Sequence, residues 1–583
     1  MTIRAVRGAV VALAAAMALP GARAQVAAFD AAAGLLKIPS VNVGSATYVD
    51  VRLAHLGDYV FALQAATEQR PVSGSGTTTY DAASGLVTIP AVKVGSETYV
   101  DVTLGLTPEG RFALRGATAV PAATLDELKA AMAALDALWA DDVPATGAQL
   151  TSLTDACYRG GGRTKAYLIA EFDADREQLR RRDAYRVGAQ RVDLQLLALR
   201  SLRNADGSTR READVQFDVV YRDGSRAVAA TETLVSGSTA GTPGCDASQS
   251  GPGWRFFGNQ RLVGFVMQSR ALRDERYALA NGAAASPLVR YRRDVRVQVS
   301  DPMARATYVV VSGPGPGATV NGVPVPWSWK MLSPAVLRAA PEMAGRPGHF
   351  VNWDNDDSFR YCGVAGTGTP VAAQADCQAY GATNDNWGIG YTGTPNAAAD
   401  EQFAAQGWVA GGVYRLDVYD DDGWKRVNGH AGRTPIASYY ETLSALPRSF
   451  VEMAGSGPTQ DRFARLDLGT AGPAGVLENT RRSVPAPIAV SWNALPGPAD
   501  GTAFRLFQAW EYFEGTKIGV PAGASWPRLR EQGLQFPGAA ATAIGAWPVM
   551  GLPPELSART YLEYTLWFSD RNAGVIQSRI SFQ

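Results

Sequence analysis

Apolar and polar positions alternate in a pattern that the chain carries twice. Asp30 to Leu53 reads DAAAGLLKIPSVNVGSATYVDVRL and Asp81 to Leu104 reads DAASGLVTIPAVKVGSETYVDVTL, an offset of 51 residues that holds on to Phe61-Ala62-Leu63 and Phe112-Ala113-Leu114. A constant offset marks one structural unit duplicated in tandem. Leu36 and Ile38 alternate, Pro39 interrupts, and Val41 and Val43 alternate on a shifted phase. Proline cannot donate to a β-ladder, so Pro39 and Pro90 predict a bulge or an edge. Gly44-Ser45 and Gly95-Ser96 predict turns, Val49, Val51 and Leu53 predict a second strand, and Phe61-Ala62-Leu63 a third. One such meander buries too little apolar surface to stand alone. Two closing over each other predict a small two-lobed β domain over residues 25–120.

The pattern then changes. Thr124-Leu125-Asp126-Glu127 reads as a capping box, with Thr124 as N-cap, ahead of Leu128, Met132 and Leu135 at helical spacing. A second helical stretch runs from Ala166 to Arg182. Strands follow at Val192 to Leu202, Ala213 to Tyr221 and Ala227 to Val235, with turns at Asn204 to Gly207 and Asp223-Gly224, and Trp254 to Arg261 reads as the closing strand. These elements predict an α+β unit over 121–285. Residues 286–445 alternate apolar and basic positions at Val289 to Val299 and add strands at Thr307 to Val311, Gly348 to Asn352 and Gly411 to Tyr419, joined by loops rich in Gly and Asp. Residues 446–583 carry strand patterns at Pro487 to Trp492, Ala503 to Phe513, Thr560 to Phe568 and Val575 to Phe582. The expected fold class is mainly β and multidomain: tandem β-meander repeats, an α+β cone and two β-sandwich-like units.

Three resemblances accompany this reading. The tandem repeat resembles the short G-L-x-x-I-P-x-V-x-V-G-x-x-x-Y modules found near the N-termini of secreted proteins of Gram-negative bacteria, which implies an exported, modular protein. Helices followed by long strands ending in Trp254-Arg255-Phe256-Phe257 resemble the NTF2-like cone fold, which implies a concave sheet with an apolar pocket. The aromatic-rich strands of 446–583 are similar to fibronectin type III and other immunoglobulin-like sandwiches in strand length and spacing.

Residues 1–24 read as a secretory signal peptide: Arg4 and Arg7, an apolar run from Ala9 to Leu19, and Ala22-Arg23-Ala24 before Gln25. No further apolar run is long enough to span a membrane, so the expected address is the periplasm or the cell exterior. Basic and acidic residues balance at 55 each, which gives no electrostatic footprint for nucleic acid. In an exported chain four cysteines suggest two disulfides. Cys362–Cys377 and Cys157–Cys245 are the pairs that keep each bridge within one unit, and other pairings are open.

Candidate chemistry concentrates in the acidic loops. Asp354-Asn355-Asp356-Asp357 and Asp420-Asp421-Asp422 supply clustered oxygens of the kind a hard cation requires. They make Asp354, Asp356, Asp357, Asp420 and Asp422 a candidate structural calcium site, although the EF-hand spacing is absent. Among the acidic residues of the cone, Asp214 and Asp218 fall on the Gln216 side of their strand, expected to face solvent, and Glu232 is a third candidate. His349 and His430 are the histidines of the loop-rich unit, and His430 near Asp417 or Asp420 is a possible base, without a G-x-S-x-G nucleophile elbow in the chain. Trp510, Tyr512, Tyr561 and Trp567 can form a carbohydrate-stacking face or pack a core. No catalytic constellation or cofactor motif is evident. The expected function is a non-enzymatic exported protein that binds a protein partner, a glycan or a surface. The alternatives are a secreted hydrolase using the acidic loops and a periplasmic small-molecule carrier using the cone.

Overall fold

A computed structural model describes residues 26–43, 46–69, 78–138, 147–174, 188–204, 206–220, 226–242, 245, 249–277, 287–315, 319–320, 323–324, 327–333, 336, 360–361, 386–392, 397–410, 412–425, 430–443, 445–454, 463–469, 472–480, 482, 484–492, 505–517, 543–547, 556–569 and 575–582. These residues form a mainly β, multidomain protein.

The duplicated stretch supplies β1 (Ala27–Asp30), β2 (Leu35–Val43), β3 (Ala46–Gly57) and β4 (Val60–Gln69), then β5 (Thr79–Asp81), β6 (Leu86–Val94), β7 (Glu97–Leu106) and β8 (Phe112–Ala119). Instead of two lobes, both copies enter one eight-stranded sheet in the order β1-β2-β3-β4-β8-β7-β6-β5, closed by parallel pairings of β1 with β6 and β2 with β5. Each copy therefore completes the other. The interior uses the same positions twice: Leu36 and Val87, Ile38 and Ile89, Val41 and Val92, Val51 and Val102, Leu53 and Leu104. The two prolines stand where bulges were expected. Asp50 and Asp101, at the register positions facing Pro39 and Pro90, both adopt φ +52°, and the ladders to β4 and β8 shift register there. The reversal turns Ala91 and Val100 outward, and they join the core of the next unit.

That unit opens with α1 (Ala122–Ala137), α2 (Gly147–Leu153), the two-residue strands β9 (Arg159–Gly160) and β10 (Arg163–Thr164), and α3 (Lys165–Ala174). Four antiparallel strands follow: β11 (Gln190–Arg203), β12 (Thr209–Val220), β13 (Arg226–Gly237) and β14 (Arg255–Phe256). Leu128, Met132 and Leu135 of α1 pack on Leu196, Val215, Phe217 and Leu234 of this sheet. The capping box is not realised, because the helix begins two residues before Thr124 with Pro121 as its N-cap. Its two polar residues anchor the helix to the sheet instead. Thr124 accepts from the Arg211 guanidinium at 3.0 Å and Glu127 from Trp254 Nε1 at 3.0 Å. Cys157 and Cys245 are bridged, which ties the loop after α2 to the segment after β13.

From there the chain lays down β15 (Gly264–Tyr277), β16 (Leu288–Ser300), β17 (Tyr308–Gly313), the short pair β18 (Thr319–Val320) and β19 (Val323–Pro324), β20 (Trp327–Leu332) and β21 (Arg360–Tyr361). Next come β22 (Asn386–Thr392), α4 (Ala397–Ala404), β23 (Gly412–Tyr419), β24 (Ala437–Leu443), α5 (Phe450–Ala454), β25 (Ala464–Asp467) and α6 (Gly472–Thr480). The last strands are β26 (Ile488–Trp492), β27 (Arg505–Lys517), β28 (Ala543–Trp547), β29 (Leu556–Ser569) and β30 (Val575–Phe582). They assemble into a six-stranded sheet, β22-β16-β15-β30-β29-β27, a five-stranded sheet, β21-β20-β17-β23-β24, and a three-stranded sheet, β25-β26-β28.

The six-stranded sheet crosses the joints expected at 285/286 and 445/446. Its central strand β15 pairs antiparallel with β16 and parallel with β30, from Arg270↔Val575 to Tyr277↔Phe582. The sequence pattern predicts no strand over the residues of β15, Gly264–Tyr277. One face of this sheet is largely apolar, interrupted by the buried Ser269, Arg273, Glu275 and Arg293, and serves two cores. Phe265, Met267, Val295 and Val297 pack with Val309, Val311, Leu416 and Val418 of the five-stranded sheet. Further along the same face, Ala271, Tyr277, Tyr564, Ile576 and Phe582 pack with Leu466, Ile488 and Val490 of the three-stranded one. Most of this second core lies between strands of 446–583, β25 and β26 against β29 and β30, and β15 and β16 from the preceding segment add to it. Gly423–Lys425 is one turn of 3-10 helix. No helix among the described residues is long and apolar enough to cross a membrane.

The aspartates at positive φ yield a test of the duplication. Asp101 is exposed, and a left-handed backbone costs a β-branched residue about 1–2 kcal/mol while glycine tolerates it. Asp101→Gly should leave the urea midpoint nearly unchanged and Asp101→Val should lower it, and Asp50 should respond in the same way. Equal effects of Gly and Val would show that the turned backbone is not what these positions require.

Candidate functional site

The second face of the six-stranded sheet is polar, and its residues come from both halves of the chain. Register places Arg270, Leu272, Asp274 and Arg276 of β15 beside Arg290, Arg292, Asp294 and Arg296 of β16. On the other side stand Gln577 and Arg579 of β30, then Glu563, Thr565 and Trp567 of β29. Six arginines thus share this face with three carboxylates whose side chains are described.

Ion pairing across the strands is specific. Arg270 makes a two-pronged contact to Asp294 at 2.9 and 2.8 Å and donates to Gln577 at 2.8 Å. Arg579 grips Asp274 in the same way at 2.9 and 2.7 Å, and Arg276 donates to Asp274 at 2.9 Å. Asp274 and Asp294 are buried; burial pushes the Asp274 carboxyl up, but Arg579 and Arg276 outweigh it and hold the group below its usual range. The Arg270 and Arg296 guanidiniums both approach the Trp567 ring, 6.0 and 5.9 Å from its centroid.

Arg292 differs from its neighbours. Its Nε lies 3.6 Å from Asp294, whose oxygens already accept from Arg270, and its side chain is 30% exposed. Burial lowers its pKa from the ordinary value; Asp294 opposes that shift, while Arg270 and Arg579 add to it. Arg290, one register step along β16, is exposed. These two arginines present positive charge at the accessible part of the face. Beside them the edge strand β22 offers Gly388 and Gly390, paired with Asp294 and Arg292. At the opposite edge the Trp510 and Tyr512 positions pair with Thr565 and Glu563, and Tyr561 pairs with Glu514. The four aromatic positions proposed from sequence therefore fall in register with the arginine-bearing side, and Trp567 itself is buried there.

The other candidates separate. Asp354, Asp356 and Asp357, with His349, Cys362 and Cys377, lie outside the described residues. Asp420 is exposed at the end of β23, and Asp422 is engaged by Arg433 at 2.9 Å, as is Asp421. No group of three or more His, Cys, Asp or Glu suited to a metal occurs among the described residues. Asp214 is not simply solvated: it accepts from Arg200 at 2.7 and 3.0 Å and from Thr233 at 2.8 Å. His55 sits on the barrel against Phe61 and Phe29.

Glu232 and His430 each stand in a distinctive setting. Glu232 is in register with Val215, and its strand neighbours Ala230 and Leu234 belong to the core beneath the helices. Burial pushes its carboxyl up to about 7, against the opposing pull of the Thr233 N–H, Arg191 and the Gly258 N–H. His430 approaches the outer side of the five-stranded sheet beside Tyr419, with its ring 6.5 Å from that phenol ring, and its Nδ1 is buried without a hydrogen-bond partner. Near it, Lys330 of β20 is buried at 5% exposure.

No family model matches the chain, and no curated protein matches its sequence.

A carboxyl raised from 4.5 to about 7 holds its proton more tightly in the folded state than in the unfolded one. Its contribution is fully present below pH 4.5 and is lost as pH rises through 7. Glu232→Gln should therefore gain stability relative to the parent between pH 5 and pH 8, by up to about 3 kcal/mol. Parallel stability–pH curves for the two proteins, from denaturant melts, would show that Glu232 is not the titrating group.

Proposed function

We propose that the protein is exported, with residues 1–24 as its signal, and binds an acidic glycan through the arginine-bearing face of the six-stranded sheet. The observation that carries this reading is the composition of that face. Six arginines meet three carboxylates among the described side chains, Arg290 and Arg292 stand beside an edge strand that places Thr392 opposite Arg290 and Gly390 opposite Arg292, and aromatic positions line the far side. Arginine presents a planar fork that matches carboxylate and sulfate oxygens in pairs. Aromatic rings accept the apolar faces of sugar rings, and a polymer reaches several such points at once. A neutral overall charge means that binding would come from this local field and not from a general basic surface.

The reading is tested with the chain lacking residues 1–24, titrated calorimetrically with polygalacturonate and with neutral dextran. Polygalacturonate should bind and dextran should not, and affinity should fall with added salt. The double substitution Arg290→Ala and Arg292→Ala should weaken binding by about tenfold or more, about 1.4 kcal/mol, with an unchanged melt because neither arginine is deeply buried. Binding of an acidic peptide polymer in preference to the polysaccharide, or no binding to either, would overturn the glycan assignment. By contrast Arg270→Ala leaves Asp294 buried without its main partner and should cost about 3–5 kcal/mol of stability.

A further inference from the structure

The outer side of the five-stranded sheet, away from its core, holds a second cluster that glycan binding does not use. Lys330 of β20 is in register with Val310 of β17, which pairs with Asp417 of β23, which in turn pairs with Ser438 of β24. One step along, Tyr308 pairs with Tyr419, and their rings stack at 4.7 Å and 2°. The Lys330 ammonium lies 5.7 Å from the Tyr308 ring centre, and Nζ is 3.4 Å from the Gly423 carbonyl oxygen. His430 closes the cluster against Tyr419.

Three features separate this place from an ordinary sheet surface. Among the lysines with described side chains, Lys330 is the one that is buried. Burial lowers its amine to about 8, so a substantial part is neutral near physiological pH. Burial and the Lys330 charge together lower the His430 imidazole, with Asp417 opposing, which leaves it neutral and able to accept a proton. The amine faces the Tyr308 ring of β17 and the Gly423 carbonyl oxygen, its charge is felt by His430 from the loop after the 3-10 turn, and Asp417 and Tyr419 of β23 stand on the same side of the sheet. Asp417 is occupied by Ser438 Oγ at 2.5 Å and Arg415 Nε at 2.8 Å, and Asp421 is held by Arg433. A neutral amine beside a neutral imidazole with a buried, unpartnered nitrogen is equipped for nucleophilic addition and proton transfer.

We infer that Lys330 is a reactive amine that captures a small aldehyde or ketone as an imine, with His430 moving the protons. The amine nitrogen adds to the carbonyl carbon, and the carbonyl π pair moves to oxygen. His430 carries one proton from the new ammonium centre to the alkoxide, which gives the carbinolamine, and then supplies a proton to the hydroxyl as the nitrogen lone pair expels it as water, recovering that proton from the iminium nitrogen. Amine and carbonyl compound thus become imine and water, with no change in oxidation state.

The test incubates the full chain at about pH 7.5 with glycolaldehyde and cyanoborohydride, which reduces any imine in place, and maps the modified peptides by mass spectrometry. At that pH an amine near 8 is about a hundredfold richer in its neutral form than an exposed lysine near 10.4. Lys330 should therefore be labelled at least about tenfold faster than Lys37, Lys93 and Lys129, which are exposed. The chain's α-amino group, itself near 8, is scored separately. His430→Gln should slow labelling of Lys330 by about tenfold or more while leaving Lys37 and the thermal melt unchanged. Lys330→Arg should abolish the adduct with its charge retained. Labelling of the exposed lysines without Lys330 would overturn the reactive amine, and an unchanged rate in His430→Gln would overturn the role of the histidine. Neither result bears on binding at the arginine face.

Discussion

The rest of the structure depends on β15, a strand that must satisfy two opposite environments. Its alternate residues Phe265, Met267 and Ala271 enter apolar cores, while Arg270 and Asp274 stand on the other side and are buried too. A buried charge is tolerated when an opposite charge and directed hydrogen bonds replace water, and is very costly otherwise. Asp294 answers Arg270 from the adjacent strand, 24 residues on, and Arg579 answers Asp274 across 305 residues. The second pair binds the middle of the chain to its end. Moving β30 by one residue along β15 would separate Asp274 from Arg579 and turn Ile576, Ile580 and Phe582 out of the core. The Asp274–Arg579 pair on one face and the packing of Ile576, Ile580 and Phe582 on the other therefore specify the same register.

This explains which parts of the fold were legible in the sequence. The repeat was visible because each strand has one apolar side and because Leu36, Ile38 and Val41 recur at a fixed distance. Its closure into a single barrel was not, since nothing local distinguishes two lobes from β1 and β2 pairing with the other copy. β15 was missed because the alternation rule assumes that polar residues mark solvent, and Arg270, Arg273 and Asp274 are buried. Thr124 and Glu127 misled for a related reason. Their spacing fits a cap, yet Arg211 and Trp254, both far along the chain, are their actual partners. A local motif has force only until a tertiary partner competes for its atoms.

The candidate site divides along the same line. Trp510, Tyr512, Tyr561 and Trp567 could be picked out as a group, because they sit on two strands at even spacing. Their association with Arg270, Arg292 and Arg579 required the pairing of β29 and β30 with β15, which no stretch of sequence encodes alone. The aspartates of 420–422 point the other way. As a run they suggest a cation site, but Arg433 takes two of them, 11 residues downstream of Asp422. Acidic clusters need their arginines counted before a metal is assigned to them.

The choice between the two basic side chains joins these observations. Of the 55 basic residues only seven are lysine. Arginine stays charged when buried and fills two acceptor positions at once, so it suits a sheet whose inner charges must persist through folding. Lysine gives up its proton under the same burial, and Lys330, shielded by sheet and tyrosines, does so partially. Had the position of Lys330 needed a permanent cation, arginine was the chain's usual solution. Had it needed only an apolar stem, the neighbouring Val310 shows what serves there. A lysine at that place supplies a property that neither alternative has, an amine that is neutral often enough to react.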